Sequence, residues 1–236
     1  MKRIAIALVL VAASAVAAVP PDERCVARAD VTGLPLVELP SKHAGDRFAV
    51  MLSGDGGWRR IDQRVTDRLR AAGIPVVGFL TPDYYRTRRD PAEAACALER
   101  VIRVHKLQWK RDKVLLIGYS RGADILPFLA SRLPADLRQS VVSISLLGLE
   151  PLIDFKYTPS WLDLWNNRAK EKQYAVRPEL EKLRGHRILC FYGQKEKDSL
   201  CRALEPSLAM VVPERGGHHF AGNYKGIAET ILDAAK

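Results

Sequence analysis

Short apolar runs alternate with helical stretches along most of this 236-residue chain. The runs are rich in Val, Ile and Leu without alternating apolar and polar residues, which is typical of strands buried on both faces. Such strands belong to mostly parallel sheets, because the helices that connect them cover both faces. Six runs fit this description: RFAVMLSG, IPVVGFL, DKVLLIG, QSVVSISLLG, HRILCFYG and SLAMVVP. The sequence therefore predicts an α/β fold with a mostly parallel sheet flanked by helices.

Helical segments are predicted at about 60–72, 90–106, 122–132 and 223–235. The region 150–184 breaks this rhythm, because it contains several Pro and Trp residues and no obvious strand. We interpret it as a short insertion after the fourth predicted strand, lying over one end of the sheet. Its residues Trp161, Leu164 and Trp165 share a helical face near basic residues, which fits either an interfacial anchor or a small lid packed on the core.

The first residues have the pattern of a secretory signal peptide. Lys2 and Arg3 precede an apolar run and a stretch of small residues that permits cleavage after Ala17 or Ala18. The run is too short to span a bilayer, which needs about 20 apolar residues. We therefore expect a signal peptide at 1–18, export from the cytoplasm and a single α/β domain at 19–236.

An oxidising compartment makes the four cysteines candidates for disulfides, and four cysteines allow three pairings. Cys190 and Cys201 flank one loop and could staple it, although Cys190 could equally be a small buried strand residue. The remaining two are Cys25 and Cys96. Neither a C-x-x-C pair nor a His/Cys cluster with zinc spacing occurs in the sequence, so we expect no metal and no cofactor.

The formal net charge is +10, and removal of Lys2 and Arg3 with the signal peptide leaves +8. Such a charge favours anionic partners. Without a recognisable nucleic-acid module, an exported chain is expected to meet anionic lipid headgroups or cell-envelope polymers and no nucleic acid. The alternative is a basic solvated surface with no partner, and a stripe formed by Arg60, Arg64 and Arg68 on the first helix is most simply explained in that way.

The stretch VLLIGYSRGAD places the pattern G-x-S-x-G between an apolar strand and a helical segment. A serine hydroxyl is a poor nucleophile until a base removes its proton, and a tight strand-to-helix turn holds it exposed. Gly118 and Gly122 leave room for close backbone packing there. Because so short a pattern can occur by chance, assigning Ser120 as a nucleophile depends on partners elsewhere in the chain.

Two backbone amides are candidates for an oxyanion hole. The helix after Ser120 directs its first amides toward the site, so the Arg121 amide is one candidate donor. The loop SGDGGW follows an earlier strand, and we choose the Asp55 amide as the second donor. The alternative there is a purely structural glycine turn.

The base and its orienting acid should follow the nucleophile in the order acid and then His, each after a later strand. Asp198 follows ILCFYG in the loop QKEKDSLC, with Glu196 held in reserve. His218 and His219 follow the last strand in ERGGHHF. We favour His219, because the residue just before the aromatic in such loops usually carries the base. The joint match makes a Ser-His-Asp hydrolase the leading interpretation.

Residues that could bind substrate follow the strand IPVVGFL, at the edge where ligands bind in open α/β folds. Tyr85, Arg88 and Arg89 could hold a lipid phosphate, since arginine suits bidentate phosphate contact, or they could form a solvated basic loop. Asp124 lies one turn after Ser120, where the helix dipole favours a carboxylate. It could also bind a lysyl ammonium group.

Four stretches, SGDGGW, GYSRGADILPF, YGQKEKDSLC and GGHHFAGNY, together resemble the bacterial virulence protein family VirJ/AcvB, within the α/β-hydrolase superfamily. The resemblance covers nearly all of the predicted mature chain. It implies an α/β-hydrolase fold, a periplasmic location and a triad of Ser120, Asp198 and His219. It also implies hydrolysis of aminoacyl-phosphatidylglycerol, chiefly the lysyl form, by peripheral association with the membrane.

Three functions remain open at this point. The first is a serine esterase that cleaves the aminoacyl ester of aminoacyl-phosphatidylglycerol. The second is an esterase for small acyl or polymer esters, which would use the same triad with a different pocket. The third is a non-catalytic component of an envelope or type IV secretion system, with secretion proteins as partners. An intact triad argues against the third, because binding alone does not require an acid and a His in this order.

Overall fold

The computed structural model describes Cys25, residues 30–158 and residues 173–236. The predicted signal peptide at 1–18 lies outside these described residues, as do Trp161, Leu164 and Trp165. None of the helices in the described part of the chain has the length and apolar character needed to cross a bilayer.

Seven strands form one sheet at the centre of the protein. Numbered in chain order and given in spatial order, they are β1 (Leu36–Leu39), β3 (Val76–Phe79), β2 (Arg47–Leu52), β4 (Lys113–Tyr119), β5 (Val141–Leu147), β8 (Ile188–Gly193) and β9 (Met210–Glu214). Only β1 pairs antiparallel to its neighbour, and the other neighbouring pairs in this sheet are parallel. The predicted mostly parallel sheet is therefore confirmed, with all six predicted strands present and β1 in addition.

Helices connect these strands. In chain order they are α1 (Arg60–Ala71), α2 (Thr81–Tyr84), α3 (Pro91–Trp109), α4 (Arg121–Ala130), α5 (Ala135–Ser140), α6 (Arg177–Glu181) and α7 (Tyr224–Ala234). The four predicted helical segments correspond to α1, α3, α4 and α7. Asp90 caps α3 by accepting hydrogen bonds from the Ala92 and Glu93 amides, and Asn223 caps α7 by accepting one from Gly226.

Apolar side chains on both faces of the sheet form two cores. Along β4, Val114 and Leu116 face the core under α3 and α4, whereas Leu115 and Ile117 face the core under α1 and α7. This arrangement follows from the two-residue period of a strand, since successive side chains point to opposite faces. It explains why the strand sequences show no alternation of apolar and polar residues: both faces are covered.

The predicted insertion follows β5. In the described residues it contains a small two-stranded antiparallel sheet of β6 (Leu152–Ile153) and β7 (Tyr174–Ala175), followed by α6. Phe155 packs against Tyr174 and Phe128 with ring centroids 5.1 Å apart in each case. The insertion is thereby attached to α4, and it contains two short strands, β6 and β7, where no strand was predicted.

Two disulfides join the four cysteines, Cys25 to Cys96 and Cys190 to Cys201. The second closes an 11-residue separation between the buried end of β8 and the short 3₁₀ helix Leu200–Ala203. The sequence allowed three pairings, and the structure has the one in which Cys190 and Cys201 close the loop between them. The stapled loop starts at the carboxyl end of β8, the edge at which the parallel strands present their following loops.

Removing the Cys190–Cys201 disulfide should destabilise the fold. In the loop-entropy account, a cross-link over 11 residues lowers the free energy of the folded state relative to the unfolded chain by roughly 3 kcal/mol. We expect Cys190→Ala combined with Cys201→Ala to lower the free energy of unfolding by about that amount in urea titrations. A reductant that leaves Cys25–Cys96 intact should lower the free energy of unfolding of the wild-type protein and should not change that of the double variant. An unchanged urea midpoint would contradict this stapling role.

Candidate active site

Ser120 occupies a sharp turn between β4 and α4. Its backbone has φ 54° and ψ −126°, a conformation with positive φ that non-glycine residues rarely adopt. The Ser120 amide donates to the Leu147 carbonyl at 2.8 Å, and the Ser120 carbonyl accepts from Ala123 at 2.7 Å. These bonds hold a strained residue between a strand and a helix, as a nucleophile elbow does.

The two glycines of G-x-S-x-G are required by backbone contacts. A Cβ on Gly122 would lie 2.2 Å from the carbonyl oxygen of Leu52, at the end of β2. A Cβ on Gly118 would lie 2.4 Å from the carbonyl oxygen of Gly122. Because backbone atoms cannot move aside as a flexible side chain can, only glycine allows α4 to start this close to the sheet.

The loop after β2 lies directly against Ser120. A Cβ on Gly54 would be 3.0 Å from Cβ of Ser120. The carboxylate of Asp55, the next residue, forms an ion pair with the Arg121 guanidinium. In the described residues, neither the Asp55 amide nor the Arg121 amide has a hydrogen-bond acceptor. Both predicted oxyanion donors therefore lie next to Ser120 with their amides available.

His218 and Glu196 form a hydrogen-bonded pair. Nδ1 of His218 lies 2.6 Å from Oε1 of Glu196. The other carboxylate oxygen, Oε2, accepts a hydrogen bond of 2.6 Å from the Gly193 amide at the end of β8. With both oxygens engaged, the carboxylate has one orientation, and it leaves Nε2 as the free nitrogen of the imidazole.

The His218 ring lies over the chain segment that anchors the Ser120 amide. A Cβ on Gly148, which directly follows β5, would be 2.7 Å from Cε1 of His218. The preceding residue, Leu147, accepts the hydrogen bond from the Ser120 amide. The ring centroid of His218 is also 5.2 Å from that of Tyr119. The loops after β4, β5, β8 and β9 thus meet at this point.

The side chain of Ser120 makes no hydrogen bond within the described residues. Contacts between nucleophile and base are often long in a site without substrate and tighten when substrate binds. The geometry therefore brings together a serine, an oriented imidazole and two free amides.

Asp198 and His219, the favoured acid and base from the sequence, are not brought together. Asp198 is exposed and has no hydrogen-bond or ion-pair partner among the described residues. Nδ1 of His219 lies 2.9 Å from the Tyr119 hydroxyl instead. The pair that does form consists of the two residues ranked second, Glu196 and His218.

Tyr119 contacts the loop of residues 214–220, which contains both histidines and is called the histidine loop. Burial raises the pKa of its phenol above the ordinary value, and the nearby Asp62 carboxylate acts in the same direction. The phenol therefore stays protonated at neutral pH. Its oxygen lies 3.3 Å from the His218 carbonyl, to which it can donate. Asp62 is itself buried at the start of α1, and burial raises its pKa to about 6.

Asp124 and Glu150 place carboxyl groups beside the elbow. Asp124 is buried in the first turn of α4, and burial raises its pKa well above the ordinary value. Its Oδ1 accepts a hydrogen bond of 2.7 Å from the Glu150 amide, which follows β5. The Glu150 side chain is exposed and has no ion-pair partner in the described residues. Asp124 thus fixes the loop that presents the Glu150 carboxylate.

The predicted phosphate-binding residues lie near this edge but are engaged elsewhere. Tyr85 is 1% exposed and packs between Tyr84 and Phe155. Arg88 forms an ion pair of 2.7 Å with Asp154, and Arg89 forms one with Glu93 of α3 at 2.5 Å. Both arginines therefore connect segments of the protein. Their binding of a lipid phosphate stays a prediction.

In residues 30–158 and 173–236, no three His, Cys, Asp or Glu side chains are grouped so that they could hold a metal ion.

Comparison with known proteins assigns the chain to a family. The family model described as bacterial virulence protein (VirJ) matches residues 46–236. The chain belongs to the VirJ family. No curated protein matches the sequence of this VirJ-family chain significantly.

Solved structures show the same fold at low sequence identity. Est1E from Butyrivibrio proteoclasticus is 12% identical, with a TM-score of 0.58 over 86% of this chain and 96% of that chain. MenH from S. aureus is 11% identical, with a TM-score of 0.61 over 84% and 97%. The esterase EaEST from Exiguobacterium antarcticum is 15% identical, with a TM-score of 0.57 over 85% and 94%. The VirJ-family chain thus has the α/β-hydrolase fold, as predicted.

Local spacing could have favoured Glu196 over Asp198. The Glu196 amide donates to the Gly193 carbonyl at 2.8 Å, so a four-residue turn begins at the last residue of β8 and ends at Glu196. This turn returns the carboxylate to the sheet edge, whereas Asp198 lies two residues further into the loop. A glycine at the end of a strand with an acid three residues later is the available signal.

Substitution of Gly122 should disrupt the elbow. Gly122→Ala would place a methyl group against the Leu52 carbonyl, so we expect the folded state to lose stability by on the order of 1–3 kcal/mol. The matched control is Gly217→Ala in the histidine loop, where a Cβ meets nothing within 4 Å and φ is not positive. Thermal unfolding should separate the two variants. Equal melting temperatures would show that α4 can move away from β2 without loss.

Proposed function

We propose that this VirJ-family chain is a serine esterase whose triad is Ser120, His218 and Glu196. The observation that carries the proposal is the oriented Glu196–His218 pair at the same sheet edge as the strained Ser120. A serine in this conformation, two free amides beside it and an imidazole fixed by a carboxylate are the parts that acyl transfer requires. The α/β-hydrolase fold of the chain supports the same reaction class.

In the first half of the reaction, Nε2 of His218 takes the proton of the Ser120 hydroxyl as Oγ attacks the ester carbonyl carbon. The amides of Asp55 and Arg121 donate to the developing oxyanion. His218 then gives its proton to the leaving alcohol oxygen as the ester bond breaks. Glu196 holds Nδ1–H throughout and stabilises the imidazolium.

In the second half, water attacks the acyl–Ser120 ester. His218 takes a proton from that water and returns it to Oγ when the tetrahedral intermediate collapses. The products are a free carboxylic acid, the alcohol and the regenerated hydroxyl. The same two amides stabilise the charge in both halves, because the oxyanion forms at the same position.

We further propose that the substrate is aminoacyl-phosphatidylglycerol, chiefly the lysyl form. The resemblance to the VirJ/AcvB family described above supports this substrate class, and the family model matches residues 46–236. An aminoacyl ester carries at least one ammonium group at neutral pH. The exposed Glu150 carboxylate, on the loop that Asp124 holds beside the elbow, offers an acidic group on the side formed by β5. The acyl group is transferred to Ser120, and phosphatidylglycerol leaves.

The reaction would take place at the periplasmic face of a membrane. The signal-peptide pattern of residues 1–18 supports export. The pairing of all four cysteines in two disulfides supports an oxidising compartment. The positive net charge supports peripheral contact with anionic lipids.

The choice of base and acid can be tested with neighbouring residues as controls. We expect His218→Ala to lower kcat for a soluble chromogenic ester by at least about 10³-fold, because the base is lost. Glu196→Gln should lower it by roughly 10²- to 10⁴-fold, since the imidazole loses its orientation. His219→Ala and Asp198→Asn should change kcat by less than about tenfold, because neither residue hydrogen-bonds to Glu196 or His218, although the His219 ring packs edge-on against His218.

Stopped assays at saturating substrate, with circular dichroism to check folding, measure these effects. A larger loss for His219→Ala and Asp198→Asn than for His218→Ala and Glu196→Gln would return the triad to the assignment made from the sequence. Equal losses at both histidines would mean that each touches the reacting atoms.

The substrate can be tested with purified protein and defined lipids. Vesicles containing lysyl-phosphatidylglycerol should release free lysine and phosphatidylglycerol, and Ser120→Ala should lower the rate by on the order of 10⁴-fold or more while remaining folded. Mass spectrometry of both products measures the cleaved bond. Comparative lipid analysis of cells with and without the protein should show the aminoacyl lipid accumulating when the protein is absent.

Each alternative has its own result. Turnover of soluble esters with no release of lysine from vesicles would favour an esterase for small or polymer esters. No turnover of any ester by a folded wild-type protein would favour a binding role in an envelope secretion system.

A further inference from the structure

Three basic residues that lack carboxylate partners in the described part of the chain lie together on α1 and α7. Arg88 and Arg89, the residues first considered for phosphate binding, are ion-paired. Arg60 and Arg64 of α1 and Lys225 of α7 are exposed, and none of the three forms an ion pair or hydrogen bond within the described residues. Positive charge is therefore available on α1 and α7.

These residues line one open cleft between the two helices. The cleft has a volume of about 650 Å³, and Arg60, Arg64, Arg68 and Lys225 line it together with Tyr224. We call it the basic cleft. The backbone of Ala221 and Gly222 lines the end nearest the histidine loop.

Carboxylates neutralise only part of this surface. Arg68 pairs with Glu229, and Asp67, which also lines the cleft, lies 3.8 Å from Arg70. The charges of Arg60, Arg64 and Lys225 remain uncompensated. Three exposed cations along one groove attract an anionic surface, and screening by salt weakens this attraction.

The two helices that form the basic cleft begin close in sequence to loops of the candidate active site. α1 begins five residues after Asp55, so its first turn follows from the loop that supplies an oxyanion donor. α7 begins at Tyr224, shortly after His218 and His219. Both walls therefore start at the carboxyl edge of the sheet, which is also the edge that carries Ser120.

We propose that the basic cleft is the docking site for the anionic phospholipid headgroups of a bilayer. The inference rests on the proposed function in one respect: a lipid ester can reach Ser120 only if the bilayer surface is held at this edge. Arginine guanidinium groups suit bidentate contact with phosphate oxygens, and Arg60 and Arg64 lie one helical turn apart on the same face. Each basic side chain near an anionic surface strengthens binding by about fivefold.

Binding is measured without turnover in the Ser120→Ala background. Probes are vesicles of phosphatidylcholine mixed with phosphatidylglycerol and vesicles of phosphatidylcholine alone. Adding Arg60→Gln, Arg64→Gln and Lys225→Gln should weaken binding to the anionic vesicles on the order of 100-fold and should reduce its salt dependence. Binding to the neutral vesicles should be weak for every variant.

The matched control removes three unpaired lysines from the opposite end of the sheet, through Lys42→Gln, Lys106→Gln and Lys110→Gln. This control removes the same number of positive charges as the variant in the basic cleft. If the position of the charges matters, the control should retain most of the vesicle binding. Equal weakening in both triple variants would overturn the cleft as a specific site and leave a general effect of charge. Heparin, a soluble polyanion, serves as a second probe. If the variant with Arg60→Gln, Arg64→Gln and Lys225→Gln lost heparin binding but kept its vesicle binding, lipid would be overturned as the ligand of the basic cleft.

The activity arm separates docking from catalysis. With Ser120 intact, the variant with Arg60→Gln, Arg64→Gln and Lys225→Gln should hydrolyse a soluble ester at the wild-type rate. It should hydrolyse a vesicle-borne ester more slowly than the wild-type protein does at low lipid concentration. A wild-type protein that binds anionic vesicles through the basic cleft but hydrolyses no ester would overturn the proposed function and leave the docking site standing. Normal ester hydrolysis without vesicle binding would overturn the docking site alone.

Discussion

The contact between Gly122 and the Leu52 carbonyl is the constraint on which the candidate site depends. It sets how closely α4 approaches β2, and this approach forces Ser120 into a conformation with positive φ. The same approach brings the Arg121 amide and the loop around Asp55 to the two sides of the serine. A side chain at position 122 would separate the proposed nucleophile Ser120 from the loop that carries the proposed oxyanion donor Asp55, so the packing of backbone on backbone determines the geometry of the candidate site.

The acid and base are fixed by a different kind of interaction. Each carboxylate oxygen of Glu196 has a partner, one on His218 and one on the Gly193 amide. The disulfide from Cys190 to Cys201 closes the loop that contains Glu196, so the loop cannot extend far from the sheet. An orienting carboxylate needs this rigidity, because rotation of the imidazole by a small angle would move Nε2 away from the serine hydroxyl.

The sequence predicted the elements of the fold well, because strands buried on both faces leave a strong signal. β4 was recognisable since each of its central side chains packs in one core or the other. β1 was missed because it has four residues, LVEL, and lies half-buried at the edge of the sheet. Only pairing with β3 makes it a strand, and pairing partners are not visible in a local window.

Ser120 and its loops could be identified from the sequence, but the choice between adjacent histidines could not. His218 and His219 have the same chemistry and nearly the same position along the chain. One meets Glu196 and the other meets Tyr119 because of how the loop turns after β9. The partners of Arg88 were equally hidden, because Asp154 belongs to the insertion, 66 residues away in the sequence.

Charges of opposite sign follow different strands at the sheet edge that carries Ser120, and this separation implies an orientation for the proposed substrate. The exposed Glu150 carboxylate follows β5, whereas the unpaired cations of Arg60 and Arg64 lie on α1, which follows β2. An aminoacyl-phosphatidylglycerol carries its ammonium group on the acyl side of the ester and its phosphate on the alcohol side. With the ammonium toward Glu150 and the phosphate toward α1, the ester carbonyl falls between them, where the Asp55 and Arg121 amides lie. The reverse orientation would place like charges together at both ends, so the electrostatic arrangement favours one direction of binding.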